Sequence, residues 1–207
     1  MARQIAPGKR LFDIALASLL AIMLAPVIIS IAIALLTSQG RPVLFRSERM
    51  KTPTEGFDLW KFRTMRPAPD DGTGVSGGDK SGRITPLGHI LRRTRADELP
   101  QLYNILRGDL SIVGPRPPLR AYVERFPDLY ARVLQSRPGV TGLATLVFAQ
   151  HEARLLAAAR TPEETDAIYV RRCIPRKARL DLIYAQRQSL LLDLRIIWRT
   201  LRIVLAR

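Results

Sequence analysis

The chain has 207 residues, of which 47% are hydrophobic and 25% charged, and its 33 Lys and Arg residues exceed 18 Asp and Glu residues, giving a formal net charge of +15. This length suits one domain, with or without an anchor. The aliphatic content excludes a disordered chain, and the single Cys173 excludes a disulfide framework and a Cys-based zinc site. The excess positive charge predicts an anionic partner: nucleic acid, anionic lipid or a phosphorylated substrate.

The most apolar segment lies near the N-terminus, where residues 14–36 carry no charge. Such a segment is long enough to cross a bilayer, which takes ~20 residues. Basic residues flank it on both sides, so the positive-inside rule favours the cytoplasmic side for both ends. Pro26 lies near the middle, where a proline removes one helical hydrogen bond and bends the helix. Two interpretations stay open: a re-entrant helix that breaks at Pro26, and a kinked helix that spans the membrane.

Short strands and helices are predicted after this apolar segment. Alternating apolar and charged residues predict a half-buried strand at 56–63 and a shorter strand at 43–46. The stretch 72–77 matches G-x-G-x-x-G, but no buried strand precedes it, so a surface loop over 67–82 is predicted rather than a dinucleotide site. Further elements follow in chain order: helices at 90–95 and 100–108, a strand at 110–113, and helices on either side of Pro127 between 120 and 137.

The C-terminal segment 189–207 is mostly apolar, with Arg195, Arg199 and Arg202 recurring at helical spacing. A basic stripe beside a wide apolar face is typical of a helix that lies in the membrane interface. A terminal helix that closes the protein core, with its arginines in water, explains the same pattern. Both interpretations of this segment stay open.

Asp97 and Glu98 form an acidic pair shortly before Pro100. Proline is tolerated in the first helical turn, so both carboxylates are expected at a helix start, where the macrodipole favours their ionised form. Adjacent carboxylates repel each other, and Mg²⁺ beside a phosphorylated substrate would offset that repulsion. A capping or solvated pair without chemistry is the alternative.

Arg116 stands between two prolines in the segment Gly-Pro-Arg-Pro at 114–117. The prolines restrict the backbone, so the guanidinium group has little conformational entropy left to lose. An arginine held in this way suits bidentate binding of phosphate. The alternative is a rigid turn in which Arg116 forms a structural ion pair.

Six segments in a fixed order are the most distinctive feature of the sequence: KRLFD at 9–13, PVLFR at 42–46, KFRTM at 61–65, RRTRADELPQL at 92–102, GDLSIVGPRP at 108–117 and RPGVTG at 137–142. Together they resemble the motifs of bacterial sugar transferases, which are monotopic polyprenyl-phosphate phosphoglycosyl transferases. The resemblance covers nearly the whole chain. It departs at two places, because Ala25 replaces the family's Ser before Pro26 and Thr145 stands where the family commonly has Gln.

The resemblance implies an α+β, mainly helical fold in the minimal catalytic form of the family. Residues 1–40 would form the N-terminal re-entrant membrane helix, and residues 41–207 the catalytic domain on the cytoplasmic face of the bacterial inner membrane. Interfacial amphipathic helices and a small β element around the active site are expected within this arrangement.

The resemblance also implies a reaction, in which a sugar phosphate moves from a UDP-sugar to undecaprenyl phosphate and UMP is released. This is the first membrane step of exopolysaccharide, O-antigen, capsule or glycoprotein glycan synthesis. Asp97 matches the family's nucleophile, which forms a covalent phosphosugar-aspartate, and Glu98 would join Asp97 in holding Mg²⁺ or handle a proton. Arg92, Arg116 and Lys61 would hold phosphate oxygens. The expected partners are the UDP-sugar, undecaprenyl phosphate and the lipid bilayer.

Two other function classes fit the sequence less well. A nucleic-acid binder would interleave aromatic with basic residues, but aromatics make up only 6% of the chain, so no nucleic-acid partner is expected. A membrane-surface scaffold would need neither the acidic pair nor Arg116. The sequence identifies neither the sugar, whose contacts we expect within residues 148–169, nor the choice between monomer and homodimer.

Overall fold

The computed structural model describes residues 6–67 and 78–206, and this part of the chain is mainly helical with four short strands. The α+β, mainly helical fold is therefore confirmed. The G-x-G-x-x-G match lies outside the described residues. The helices are α1 (Pro7–Gln39), α2 (Pro86–Thr94), α3 (Gln101–Arg107), α4 (Arg120–Arg125), α5 (Pro127–Val133), α6 (Leu143–Ala157), α7 (Pro162–Ile168), α8 (Ile174–Arg187) and α9 (Leu190–Leu205), and the strands are β1 (Leu44–Met50), β2 (Gly56–Phe62), β3 (Ser111–Val113) and β4 (Gly139–Thr141).

Among the described residues, α1 is the one helix that is long and apolar enough to cross a membrane. The middle of this helix is largely exposed, and its exposed large apolar side chains include Leu19, Ile22, Met23, Val27, Ile29 and Ile33. The helix continues through Pro26, so the expected break is corrected to a single helix that contains a proline. A proline inside a helix removes one hydrogen bond and bends the helix without having to end it, and Ser30 Oγ donates to the Pro26 carbonyl at 2.8 Å.

The N-terminal end of α1 is fastened to the rest of the protein by buried polar contacts. Lys9 Nζ lies 2.5 Å from Asp193 Oδ2 on α9, and the Tyr184 hydroxyl donates to the other oxygen of Asp193 at 2.7 Å. Asp13 accepts hydrogen bonds from the Ser111 hydroxyl at 2.8 Å and from the backbone N–H of residue 112. Two charged residues of the KRLFD motif thus hold the helix against β3, α8 and α9.

The C-terminal end of α1 docks on the same body. Leu35 is buried in a cluster with Phe62 and Leu91. The Arg63 guanidinium donates to the carbonyls of Gln39 at 2.6 Å and of residue 40 at 3.0 Å, which are acceptors that the end of a helix leaves unpaired. Both ends of α1 are therefore held by one globular body, while the apolar middle remains uncovered.

The first two strands form an antiparallel hairpin, in which Leu44 faces Phe62 and Met50 faces Gly56. Both strands are predicted from the sequence, although β1 extends beyond the expected residues 43–46. Phe57 and Leu59 are buried on the inner face of β2, as the alternating pattern predicts. The hairpin packs against the acidic pair and α3.

The last two strands form a parallel pair, with Ser111 beside Gly139. Their backbones approach closely where glycine stands, because a Cβ atom on Gly114 would lie 2.2 Å from the carbonyl oxygen of Arg137 and one on Gly139 would lie 2.1 Å from the Gly114 nitrogen. A side chain at either position would clash with backbone. The GDLSIVGPRP and RPGVTG segments are consequently one structural unit.

The C-terminal helix packs on the core with one side and leaves another side exposed. Asp193 and Ile196 are buried, so α9 closes part of the core. Leu191, Leu194 and Trp198 are exposed on another side of the same helix. This second side presents the apolar surface expected of a helix that lies in a membrane interface.

Candidate active site

Lys61 reaches the interior because of its place on β2. Side chains alternate between the two faces of a strand, so Lys61 shares the inner face with Phe57 and Leu59. Asn104 of α3 braces this strand, since its side chain donates to the carbonyl of residue 58 at 2.8 Å and accepts from the backbone N–H of Trp60 at 3.1 Å. The backbone of β2 is therefore held in position, and the ammonium group of Lys61 lies beside the acidic pair.

The acidic pair is set by a turn at the end of α2. Arg95 has a left-handed backbone with φ of 59°, which is uncommon for a residue other than glycine. The chain reverses there and forms a 3₁₀ turn over Ala96–Glu98, which packs against β2 and α2. Both carboxylates are thus buried in a 3₁₀ turn shortly before α3, whereas the sequence predicted them at the start of that helix.

Glu98 is the centre of a cation cluster, here defined as Lys61, Arg95 and Arg116 around its Oε1 atom. Lys61 Nζ donates to that oxygen at 2.9 Å and Arg116 Nη2 at 3.1 Å, while Arg95 Nη1 lies 3.6 Å away. Burial alone would raise the pKa of Glu98, but the charges of Lys61, Arg116 and Arg95 outweigh it and hold the pKa far below its usual range. Glu98 is therefore ionised throughout the physiological range.

Asp97 differs from its neighbour in both partners and pKa. Its side chain is buried, and among the described residues no group hydrogen-bonds its Oδ1 atom. Burial and the charge of Glu98 raise the pKa of Asp97, against the opposing effect of Lys61, Arg92 and Arg95. A buried, unpaired carboxylate oxygen costs free energy and is a better nucleophile than a solvated one.

Arg92 is near enough to the acidic pair to interact with its charges, and it is held by the KFRTM segment. Its Nε donates to Thr64 Oγ1 at 2.8 Å, which fixes the guanidinium plane. Burial lowers the pKa of Arg92, while Asp97 and Glu98 raise it. Three contacts thus come from one short segment. Lys61 binds Glu98, Arg63 binds the carbonyl groups at the end of α1, and Thr64 accepts a hydrogen bond from Arg92.

Arg116 is presented by the parallel strand pair. The Gly114 N–H donates to the Thr141 carbonyl and the Gly139 N–H donates to the Pro115 carbonyl, each at 2.8 Å. These bonds immobilise the backbone on both sides of Arg116, as its flanking prolines predict. Its side chain does form an ion pair, with Glu98, through a single Nη2 contact. The alternatives weighed for Arg116 are therefore compatible, since the residue that forms this ion pair also lines two of the cavities described next.

Three cavities each border at least one member of the cation cluster around Glu98. The apolar pocket has a volume of about 250 Å³ and begins at Arg95 and Glu98; its apolar wall comes from Leu20 of α1, Leu102 and Ile105 of α3, Leu146 of α6, and Ile203 of α9. The inner cavity, of about 220 Å³, is lined by Lys61 and Arg116 and ends at Tyr130, Lys177 and Asp181. The outer pocket, of about 460 Å³, is lined by Ser81, Arg95, Arg116, Thr145 and Glu152.

Asp97 and Glu98 are also the residues expected to hold Mg²⁺. Among residues 6–67 and 78–206 no group of three His, Cys, Asp or Glu side chains could hold an ion. Asp97 Oδ1 is an unpaired, buried acceptor, which fits a Mg²⁺ ligand, whereas Glu98 Oε1 is already taken up by cations. Mg²⁺ is commonly held by one or two carboxylates, substrate phosphates and waters, so the residues fit an ion completed by substrate.

The structure brings together every predicted polar site residue: Asp97, Glu98, Lys61, Arg92 and Arg116. Pro26 lies apart from them, in α1. Sequence reasoning did not find the bracing role of Asn104, the contribution of Arg95 to the cluster, or the Lys177 and Asp181 pair on α8. Lys177 and Asp181 are four residues apart, a spacing that places both on one helix face and could have indicated them.

Comparison with known proteins identifies the family of this chain. The bacterial sugar transferase family matches residues 4–207, and the chain belongs to that family. It is 38% identical over 197 residues to the UDP-glucose:undecaprenyl-phosphate glucose-1-phosphate transferase of Caulobacter vibrioides, covering 93% of this chain and 67% of the relative. The Escherichia coli (strain K12) protein of that same name is 37% identical over 166 residues, covering 79% and 36%.

A relative of similar length extends the comparison. The exopolysaccharide production protein PSS of Rhizobium leguminosarum bv. phaseoli is 36% identical over 204 residues, which cover 93% of this chain and 92% of the relative. By contrast, this chain spans little more than a third of the Escherichia coli relative. The match is thus to a part of the longer relatives and to nearly all of the shorter one.

Proposed function

We propose that this chain transfers a sugar phosphate from a UDP-sugar to undecaprenyl phosphate and releases UMP, at the cytoplasmic face of the bacterial inner membrane, as an early step of polysaccharide synthesis. The observation on which the proposal rests is the buried Asp97 carboxylate, whose Oδ1 has no partner among the described residues, beside the cation cluster. The names of the two related glucose-1-phosphate transferases support the same choice of donor and acceptor.

In the first step, a carboxylate oxygen of Asp97 attacks the phosphorus atom that bears the sugar. A bond forms between that oxygen and phosphorus, the bond between phosphorus and the bridging oxygen of the diphosphate breaks, and UMP leaves with the electron pair. The product is a phosphosugar-aspartate, a mixed anhydride. Lys61, Arg92 and Arg116 are placed to stabilise the charge that builds up on the phosphate oxygens.

In the second step, a phosphate oxygen of undecaprenyl phosphate attacks the same phosphorus atom. The phosphorus–oxygen bond to Asp97 breaks, the carboxylate is regenerated, and the sugar is left on a lipid diphosphate. Splitting one displacement into two allows donor and acceptor to use the same cations in turn. Glu98 remains ionised throughout and keeps Lys61 and Arg116 in position.

Mg²⁺ is proposed as the cofactor, with Asp97 as the protein ligand that the residues favour and Glu98 as a second one. When bound, the ion would neutralise charge on the diphosphate. The protein's own share is to hold the phosphate by Lys61, Arg92 and Arg116. Burial raises the pKa of Asp97, and the neighbouring cations, Lys61 first among them, limit that rise.

The apolar pocket suits the acceptor lipid. It is lined by Arg95 and Glu98, and most of the rest of its wall is formed by apolar side chains, including those of α1, α3, α6 and α9. A prenyl phosphate needs such a combination, with cations for its phosphate and apolar surface for its chain. The exposed middle of α1 and the exposed apolar side of α9 would then lie in the same bilayer leaflet.

A re-entrant α1 follows from the docking of both its ends on one body. A straight helix of this length spans ~50 Å, and a transmembrane course would carry its ends to opposite sides of a ~30 Å hydrocarbon layer. A bend at Pro26 within the continuous helix would instead allow both ends to stay on one side. Single cysteines at Gly8 and Arg41, in a Cys173→Ser background, should both react with a membrane-impermeant thiol reagent in inverted vesicles and not in intact cells. Labelling from opposite sides would establish a spanning helix instead.

The proposed activity is tested by UMP release from UDP-sugars in the presence of undecaprenyl phosphate. The unchanged chain should release UMP with at least one donor, and Asp97→Asn should abolish that release. Asp128→Asn is a matched control, because Asp128 is an exposed residue of α5, and should leave turnover unchanged. Full turnover by Asp97→Asn would show that Asp97 is not the nucleophile.

A further inference from the structure

Asp181, at the far end of the inner cavity, is a second carboxylate without a full set of partners. It is 6% exposed, and within the described part of the chain nothing hydrogen-bonds its Oδ1 atom. A buried polar atom in this condition costs free energy that a hydrogen-bond donor would recover. The reaction mechanism makes no use of Asp181, so its place in a cavity requires a separate explanation.

The neighbours of Asp181 define what the inner cavity can accept. Lys177 Nζ donates to Glu152 Oε1 at 2.8 Å and to the Tyr169 hydroxyl at 3.1 Å, so this cation is already paired. Glu152 and Asp181 both line the cavity, and so does Arg49, whose Nη1 atom is buried with no hydrogen-bond partner among the described residues. An ionised phosphate would accept a hydrogen bond from Arg49 but has no proton to donate to Asp181, so it would leave that carboxylate unpaired. An apolar ligand would leave Asp181 unpaired. A neutral ligand rich in hydroxyl groups fits best, because each hydroxyl both donates and accepts.

The position of the inner cavity relates it to the donor. Lys61 and Arg116 form its near wall, and these are the cations proposed to hold the diphosphate. A UDP-sugar held there by its diphosphate has two neutral ends, the sugar and the nucleoside. The nucleoside has two rings and suits the outer pocket of about 460 Å³, while a single sugar ring suits the inner cavity of about 220 Å³.

We infer that the inner cavity receives the sugar ring of the donor, and that Asp181 accepts a hydrogen bond from a sugar hydroxyl and so helps to select the sugar. The inference rests on the proposed function for the class of donor. A site that hydrogen-bonds a hydroxyl discriminates strongly against an analogue that lacks it, because the buried partner is then left unpaired. Glu152 and Tyr169 fall within residues 148–169, where sugar contacts are expected, whereas Asp181 lies beyond them.

The test compares donors that differ in a single hydroxyl, such as UDP-glucose and UDP-galactose, using the full chain in detergent with undecaprenyl phosphate. Asp181→Asn should reduce the ratio of kcat/KM for the better donor to kcat/KM for the poorer donor at least tenfold. It should change the inhibition constant of UMP by no more than twofold. Asp128→Asn should change neither quantity. Ala178→Val narrows the inner cavity alone, and should lower kcat/KM for every sugar at least tenfold with UMP inhibition again unchanged.

Two results would overturn the inference. If Asp181→Asn or Ala178→Val weakened inhibition by UMP as much as it lowered kcat/KM for the donor, the inner cavity would be assigned to the nucleoside. An equal loss for all sugars in Asp181→Asn, with the ratio unchanged, would make Asp181 a structural residue; thermal unfolding of each variant checks that it is folded.

Failure of the proposed function is recognised separately. If the unchanged chain releases UMP from no donor, that function is wrong, and calorimetry then decides the inference by itself. A UDP-sugar should bind at least tenfold more tightly than UDP, and Asp181→Asn should remove most of that advantage. Equal affinities for UDP and every UDP-sugar in the unchanged chain would overturn it.

Discussion

Replacing Glu98 by glutamine removes the anion at the centre of the cation cluster and keeps the size of the side chain. Lys61, whose side chain is 18% exposed, would then be a largely buried cation whose nearest carboxylate is Asp97. Burial already lowers the pKa of Lys61, and the charge of Glu98 is the main opposing effect. The substitution should therefore destabilise the fold and lower the pKa of Lys61 further.

The magnitude follows from burial. Breaking a buried ion pair costs about 3–5 kcal/mol because one charge is left uncompensated. Arg95 and Arg116 are each about one-third exposed. Water therefore screens their ion pairs with Glu98, and the loss of these pairs adds little to the cost. We expect a loss of about 3 kcal/mol in the free energy of unfolding from Glu98→Gln, which for a chain of this size is a fall in Tm of roughly 6–12 °C.

Thermal unfolding in detergent, followed by circular dichroism at neutral pH, measures this loss. The double variant Glu98→Gln with Lys61→Met should be more stable than Glu98→Gln alone, because it removes the uncompensated charge, and the cycle should show a coupling of about 1.5 kcal/mol or more. Glu48→Gln is the control, since its ion pair with Arg120 is solvent-exposed and its Tm should not change. An unchanged Tm for Glu98→Gln, or strictly additive effects, would refute the reasoning.

Three further outcomes are expected. As pH falls through the raised pKa of Asp97, kcat/KM should fall, and Arg92→Gln, which removes a cation that lowers that pKa, should move this limb to higher pH; a shift to lower pH would contradict the assigned interaction. Burial raises the pKa of Asp181 to about 7, so the folded chain binds that proton more tightly than the unfolded chain. The free energy of unfolding therefore falls as pH rises from about 4, the usual carboxyl pKa, through 7. Asp181→Asn should therefore gain more in Tm over the unchanged chain at pH 8 than at pH 5, and an equal gain would argue against it. Lys9→Met leaves Asp193 buried without its cation and should cost about 3–5 kcal/mol of unfolding free energy, measured by thermal unfolding; a neutral effect would show that this pair does not hold α1.

Local patterns predicted many of the elements. The alternation around Phe57 identifies β2, the proline at 127 separates α4 from α5, and Gly108 ends α3, all through short-range backbone preferences. The strand β4 was not predicted, because it has only three residues and gains its hydrogen bonds from β3, more than twenty positions earlier in the sequence.

The site shows the same division. The motifs supplied Asp97, Glu98, Lys61, Arg92 and Arg116 by resemblance, but not how these groups interact. The pairing of Lys61 with Glu98 depends on a hairpin and a left-handed turn that meet only in the fold. The bond from Lys9 to Asp193 joins residues 184 positions apart, and no local pattern indicates a contact at that separation.

The most direct measurement is mass spectrometry of the full chain after incubation with a UDP-sugar in the absence of undecaprenyl phosphate. The chain should gain the mass of one sugar phosphate on the peptide that contains Asp97, with one UMP released for each adduct, and addition of the acceptor lipid should remove it. Asp97→Asn should form no adduct. An adduct on another residue, or transfer to the lipid by a chain that never carries one, would contradict the proposed covalent role of Asp97.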